Sequence, residues 1–438
     1  MGAEWRQVTL AEVMDVKHGF AFPGEHIHEQ PPGDILLTPG NFAIGGGFKA
    51  DKFKYFDGEV PDEFVLKEGD LLLTMTDLSK EADTLGYPAL VPKAKGARFL
   101  HNQRLGKVII RPEAEVDKRF LYYLLHAGEY RHEVLASATG TTVKHTSPAR
   151  ILAHKVTLPS VPEQRAVAHV LGTLDDKIEL NRWMNETLEA LARALFKSWF
   201  TDFDPVHAKA EGRDPGLPKQ LVDLFPDSFE DSELGEIPKG WRPGALGDVA
   251  ENPRRGVQPS EIEASTPYIA LEHMPKRCIA LSDWGAADGL ESNKFEFERG
   301  EILFGKLRPY FHKVGVAPLD GVCSTDIVVV APKTNRWFGF VLEHASSTEF
   351  VEYTNAGSTG TKMPRTSWSE MARYAIAIPP EPIATAFTTK VQPVVDRIIA
   401  SIHESRTLAA LRDTLLPKLI SGELRVKDAK KFIRREAA

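Results

Sequence analysis

The chain repeats itself once, and this constrains the fold more than any other feature, because whatever one copy forms the other must form again. Trp5-Arg6-Gln7-Val8-Thr9-Leu10-Ala11-Glu12-Val13 is echoed by Trp241-Arg242-Pro243-Gly244-Ala245-Leu246-Gly247-Asp248-Val249. Gly69-Asp70-Leu71-Leu72-Leu73 is echoed by Gly300-Glu301-Ile302-Leu303-Phe304, each time a turn glycine, an acid and a short apolar run that reads as a buried strand. Downstream the offset settles at a constant 220: Ala138-Thr139-Gly140-Thr141 against Ser358-Thr359-Gly360-Thr361, then Pro159 and Pro162 against Pro379 and Pro382.

The same offset runs through two helical patterns. Leu171, Leu174, Ile178, Leu188, Leu191, Leu195 and Trp199 align with Val391, Val394, Ile398, Leu408, Leu411, Leu415 and Leu419. Their steps of three and four put one apolar stripe along each helix, the spacing of a paired coiled coil, so these positions are the expected helix-pair core. Pro162 and Glu163 suit a first turn, where a missing N–H costs nothing and an acid meets the positive end of the dipole. In the second copy Pro393 predicts a kink or a late start, and Pro417 an end before Ser421-Gly422.

The expected fold class is therefore α+β: two similar modules and two long antiparallel helices, with a pseudo-two-fold internal repeat. The boundaries read as a first module over 1–157, a central helix over 158–200, a linker over 201–240, a second module over 241–379, a C-terminal helix over 380–424 and a basic tail over 425–438. Helices that each follow their module pair antiparallel only if the chain doubles back, which predicts modules at opposite ends of a rod.

A length of 438 residues suits two or three domains, and 42% apolar with 26% charged residues is ordinary soluble usage. The N-terminus lacks an export signal and no window approaches a membrane span, so a cytoplasmic protein is expected. Two cysteines, Cys278 and Cys323, are too few for a disulfide framework.

Motifs for catalysis fail. There is no G-x-x-x-x-G-K-[S/T] phosphate loop, no G-x-S-x-G elbow and no Asn/Asp-Pro-Pro-Tyr/Phe tetrapeptide; Asn252-Pro253-Arg254-Arg255 and Phe203-Asp204-Pro205-Val206 both miss the last. Gly40 to Gly47 lacks the following Lys-Ser/Thr and reads as a surface loop. His26-Ile27-His28 has no third ligand at a motif distance. Asp175-Asp176 and Asp202/Asp204 read as solvated surface. No catalytic residue, bound cofactor or metal site is expected.

The run from Leu158-Pro159-Ser160-Val161-Pro162-Glu163-Gln164-Arg165-Ala166-Val167-Ala168 through Leu171-Gly172-Thr173-Leu174-Asp175-Asp176-Lys177-Ile178-Glu179-Leu180-Asn181 to Ala194-Leu195-Phe196-Lys197-Ser198-Trp199-Phe200 resembles the central region of type I restriction-modification specificity subunits. Ser232-Glu233-Leu234-Gly235-Glu236-Ile237-Pro238-Lys239-Gly240-Trp241 and Leu416-Pro417-Lys418-Leu419-Ile420-Ser421-Gly422-Glu423-Leu424 carry the same likeness. One departure is Pro380-Glu381-Pro382-Ile383, where Pro-Glu-Gln would complete the pattern. The resemblance implies two target-recognition domains, each reading half of a split site on double-stranded DNA, and helices that act as a ruler and dock two methyltransferase subunits. It places S-adenosylmethionine chemistry in those partners and ATP-driven cutting in separate restriction/translocase subunits, leaving this chain non-catalytic. As a ruler, about 30 helical residues span about 45 Å, against about 34 to 36 Å for one duplex turn.

Charge does not announce a DNA binder, since the net formal charge is −7. The acidity sits in residues 156–239, with 9 basic and 16 acidic side chains, whereas 1–155 carries 19 and 21 and 240–380 carries 15 and 17. Each module thus has room for a local basic face. Base-reading candidates are Arg, Lys, Asn and Gln on loops; those favoured are Lys49, Lys52, Lys54, Asn102, Gln103, Arg104, Lys144 and, beside it, His145 in the first module, and Arg254, Arg255, Lys306, Arg308, Lys362 and Arg365 in the second. Thr141-Thr142-Val143-Lys144-His145 and Thr361-Lys362-Met363-Pro364-Arg365 place hydroxyls and cations at equivalent positions after a shared glycine. Trp199 and Phe200, large aromatics at a helix end, are candidates for partner docking, with packing inside the chain as the alternative. The rival to the DNA reading is a coiled-coil scaffold for protein partners that binds no DNA.

Overall fold

The computed structural model describes residues 5–50, 52–77, 79, 81–93, 96–360 and 362–429. Thr361 and most of the basic tail, 430–438, lie outside the described residues. The chain divides into two compact units, 1–176 with 408–438, and 177–407. The division falls within both long helices, α1 (Val161–Phe196) and α2 (Glu381–Ser421).

In the first unit a four-stranded antiparallel sheet runs in the order Met14–His18, Leu105–Ile110, Leu71–Thr74, Pro88–Leu90, with Val108 opposite Val16 and Leu72 opposite Ala89. The second unit repeats it as Ala250–Glu251, Ile327–Pro332, Ile302–Gly305, Val314–Val316. The echoed runs Leu71-Leu72-Leu73 and Ile302-Leu303-Phe304 are the equivalent buried strands. Each unit also has a five-stranded sheet built on one parallel pair, Asp34–Leu37 with Phe99–His101, and Pro267–Ile269 with Gly321–Cys323. The copies differ at the edges: Ile27–His28 joins beside Lys54–Phe56, whereas Gly256–Val257 joins on the opposite side, beside Lys294–Phe297.

Each module is closed by its own ends. Arg6–Thr9 pairs antiparallel with Lys155–Leu158, and Arg242–Ala245 with Ala375–Ile378, so the strand that opens a module holds the one that feeds its helix. The echoed acids follow: Glu12 accepts from the Thr9 amide at 2.7 Å and Asp248 from the Ala245 amide at 3.2 Å, each completing the first turn of a short helix.

The two helices run antiparallel within each unit. In the first, Val167, Ala168, Leu171 and Leu174 of α1 share a core with Leu415, Leu419 and Ile420 of α2, and Arg412 reaches Asp175 at 2.8 Å. In the second, Ala192 and Phe196 pack with Phe387, Val391, Val395 and Ile398, while Asn181 Nδ2 donates to Glu404 Oε2 at 2.9 Å and Ser405 Oγ at 3.2 Å. Of the expected seam, Leu171, Leu174, Val391, Ile398 and Leu415 are buried, Leu188, Leu195, Val394, Leu408 and Leu411 are partly buried against the cores, and Ile178 is half-buried.

Leu191 is the correction: it is 59% exposed. The buried positions through this stretch are Asn181, Asn185, Glu189 and Ala192, a polar seam that an apolar pattern skips. Pro393 does not delay the helix, since α2 starts at Glu381, and Pro417 does not end it, since α2 continues through both prolines to Ser421. Both prolines are exposed, so the carbonyl each one leaves unpaired faces water. Gly422, at φ +79°, then ends the helix in the left-handed conformation.

The segment 201–240, expected as a linker, is folded into the second unit. It carries the helix Asp204–Ala210 and the hairpin Phe229–Ser232/Gly235–Pro238, and buries Val206, Phe225 and Ile237 in that unit's core. Trp199 and Phe200 are buried in the same core. Trp199 meets Phe225 edge-on at 5.0 Å between centroids and Phe200 meets Phe387 at 4.9 Å, so packing inside the chain, not partner docking, occupies them.

Candidate nucleic-acid interface

The echoed glycines set up the site. Gly140 and Gly360 have φ of +97° and +98°, a region that side chains avoid, and a Cβ on Gly140 would lie 1.9 Å from the Val143 carbonyl oxygen. Each glycine turns the chain into a short hairpin: Thr139 and His145 exchange both backbone bonds at 3.0 and 2.8 Å, and Thr359 and Arg365 repeat the exchange at 3.0 and 2.9 Å. Lys362 sits at the tip of the second hairpin, while Lys144 lies on the returning strand of the first, beside His145.

Each hairpin is stitched to its module. In the first unit Lys144–His145 pairs with Thr76–Asp77, Thr146 N donates to Met75 O at 3.0 Å, and Met75 N donates to Arg104 O at 3.0 Å. One ladder therefore gathers Lys144, His145, Arg104, Gln103 and Asn102. His145 Nδ1 lies 3.2 Å from Thr76 Oγ1, and Arg104 and Gln103 are exposed. In the second unit Leu307 bridges Arg365, Thr366 N donates to Lys306 O at 3.1 Å, and Arg308 N donates to Pro364 O at 2.7 Å. That gathers Lys306, Arg308, Lys362 and Arg365.

Neighbouring acids fix this frame. Asp77 is buried, which by itself would raise its pKa, yet hydrogen bonds from Thr84 and Ser79 outweigh burial and hold the carboxyl below its ordinary value. It stays ionised as the cap of the turn that carries the strand partner of the hairpin. Asp326 does the equivalent work by accepting from Arg365 Nε at 3.0 Å.

Other candidates lie apart from these ladders. Lys54 is on the five-stranded sheet, with Lys49 and Lys52 on the loop before it. Arg254 sits at φ +49° just after the strand Ala250–Glu251, and Arg255 is spent internally, paired with the largely buried Glu301 and with Glu298 at 3.7 Å. Two exposed side chains that charge-based reading missed belong to the second cluster: Tyr310, on the turn after Arg308, and Met363, at the hairpin tip. Large apolar groups left in water beside cations were the signal available.

His26 Nδ1 and His28 Nε2 both contact Asp57, at 3.0 and 2.9 Å, and their hydrogen bonds, His28 first, hold Asp57 below the ordinary carboxylate range. Among the described residues no group of three or more His, Cys, Asp or Glu is arranged to hold a metal ion. Both cysteines are free, and burial pushes each thiol up to about 12. No helix among the described residues is long and apolar enough to cross a membrane.

These features define a class: a two-copy α+β protein in which each module ties a cation-bearing, glycine-turned hairpin to its central sheet and leads into a long helix. Residues 2–190 match the family described as the type I restriction modification DNA specificity domain. The MjaIX specificity subunit of Methanocaldococcus jannaschii is 28% identical over 378 residues, covering 83% of this chain and 79% of that protein. The HindI specificity subunit of Haemophilus influenzae is 26% identical over 375 residues, covering 72% and 80%. The type I restriction-modification S subunit from M. genitalium shares the fold, with a TM-score of 0.55 at 16% identity over 95% of this chain and 96% of that one. Over residues 2–190 the chain thus matches the type I restriction modification DNA specificity domain, and over most of its length it is similar to specificity subunits of type I restriction enzymes.

Proposed function

We propose that this chain is the non-catalytic reader of a type I restriction-modification complex, each module selecting one half of a bipartite target on double-stranded DNA. The observation that carries this reading is the duplicated hairpin cluster: Arg104, Lys144 and His145 in one module, Lys306, Arg308, Lys362 and Arg365 in the other, on the same backbone scaffold. Arg and Lys forks reach guanine edges and phosphates, and Tyr310 and Met363 add apolar surface suited to thymine methyl groups. Methyl transfer from S-adenosylmethionine and ATP-driven cleavage belong to partner subunits.

The long helices set the separation of the two half-sites. They also supply a docking face for methyltransferase subunits. With Trp199 and Phe200 buried, that face is the exposed stripe Leu180, Trp183 and Leu191 on α1, whose steps of three and eight keep them on one side of the helix.

The test is a methylation map of DNA exposed to this chain co-expressed with its methyltransferase subunit. A split motif with a fixed unspecified spacer is expected, with binding that weakens steeply as salt rises, because phosphate contacts release counterions. A stable complex that methylates no defined motif would instead support the scaffold reading.

A further inference from the structure

The second unit holds a cavity of about 190 Å³ where α1 meets the module, bordered by Arg193, Lys197, Arg277, Glu343, Ser347 and Thr348. Glu343 is 4% exposed and lines this cavity, and its carboxyl, which has no hydrogen-bond partner among the described residues, is not sealed among the fully buried unpaired atoms, so it reaches the cavity space. A buried polar group left in this state costs free energy unless something else satisfies it.

The repeat supplies an internal comparison. At the constant offset Glu343 corresponds to Tyr123, Phe196 to Leu416, Lys197 to Pro417 and Thr348 to Gly128, and those residues border a cavity of about 490 Å³ in the first unit. There the polar group is closed internally: the Tyr123 hydroxyl donates to Asp175 Oδ2 at 2.5 Å, and Asp175 Oδ1 accepts from Arg412 at 2.8 Å. The second unit has no such internal partner for its acid.

Charges of both signs surround Glu343. Arg193 is held by Glu189 at 2.8 Å and Lys197 by Asp202, and Glu189 also faces Glu343; the exposed Arg277 has no carboxylate partner among the described residues, and His312 and Glu349 complete the charged and titratable lining. The nine-residue helix Thr348–Ala356 starts at the cavity, with Ser347 Oγ accepting from Phe350 N at 3.1 Å. The amides of Thr348 and Glu349 then have no intrahelical partner and carry the positive end of the dipole.

We infer that this cavity binds a phosphate-sized oxyanion, held by Arg277, Lys197 and the first-turn amides at Thr348 and Glu349, with the Glu343 carboxyl donating a hydrogen bond to it. Burial pushes Glu343 up to about 8 even with Arg193 nearby, so at neutral pH it carries the proton that this bond requires. The oxyanion comes either from the DNA backbone or from free phosphate and phosphorylated small molecules.

Equilibrium dialysis of the full chain with labelled inorganic phosphate in chloride buffer tests the site. Saturable uptake of one phosphate per chain is expected. Arg277→Glu, at an exposed position, should weaken it by about tenfold or more. Glu343→Gln, whose amide also donates, should retain it within about threefold, while Glu343→Leu should lose it. Absent uptake, uptake indifferent to Arg277→Glu, or equal loss in the Gln and Leu variants would overturn the assignment. Adding a saturating DNA duplex to the phosphate-loaded chain separates the sources: displacement supports a backbone phosphate, and simultaneous binding supports a free one.

Discussion

Gln164 makes the densest set of bonds by any single side chain at the start of α1. Fully buried, it accepts from the Asp117 amide at 2.8 Å and donates to the Glu115 and Pro159 carbonyls at 3.0 and 2.8 Å, clamping the loop that enters the helix Lys118–Leu124. Gln164→Ala leaves those three backbone groups unpaired, and at about 1–3 kcal/mol each the first unit should lose about 3 kcal/mol or more in urea unfolding. In the second copy Ala384 stands at this offset, and Thr388 takes over, its Oγ accepting from Gly339 N at 3.1 Å and donating to Arg336 O at 2.8 Å. The departure at Pro380-Glu381-Pro382 was legible in the sequence. Its replacement was not, because a clamp joins positions some 50 residues apart with no periodicity to betray it.

Glu343 makes a pH prediction at the same scale. Burial raises it from 4.5 to about 8, so the folded chain keeps a proton that the unfolded chain releases. Stability is therefore fullest below pH 4.5 and falls as pH rises toward 8; at pH 7 the loss is about 3 kcal/mol. Glu343→Gln in phosphate-free buffer should recover about that amount at pH 7 and change little at pH 4.5. Equal effects at both pH values would mean that the side chain is not titrating in this way.

At the scale of elements, the helix pair was legible in outline and misread in the middle. The apolar steps found both ends of the seam, but the stretch through Asn181, Asn185 and Glu189 is buried and polar, so a reading by apolar residues slid onto Leu191. Glu189 shows why the burial is tolerated: burial raises its pKa, yet it accepts from Ile279 N at 3.1 Å and Arg193 at 2.8 Å. Polar groups at such positions fix the register of paired helices. Leu188→Asp, against the core, should destabilise the second unit by about 3 kcal/mol, whereas Leu191→Asp should shift stability by no more than about 0.5 kcal/mol while weakening methyltransferase capture. Thermal melts and co-purification check the pair. Gly140→Ala should open the first hairpin, since its Cβ has no room, and hydrogen exchange at Thr139 and His145 would report it.

At the scale of the molecule, the repeat did most of the work. It located both modules, both helices and the two hairpins, because a constant offset survives even where composition is uninformative. It could not show that 201–240 folds into the second unit, since that segment has no counterpart in the first copy, nor that the extra edge strand moves across the five-stranded sheet, since strand order is not written in local pattern. Which cations gather was half legible: the paired hairpins were, while the withdrawal of Arg255 into an ion pair with Glu301 depends on a contact 46 residues away.

The central claim is that each module reads its own half-site, and methylation mapping of two charge-reversed variants tests it most directly. With the methyltransferase subunit present, Arg104→Glu/Lys144→Glu should erase or relax one half of the split motif, and Arg308→Glu/Lys362→Glu the other, with spacer and complex assembly preserved. Loss of both halves together in either variant, or an unchanged motif in both, would contradict it.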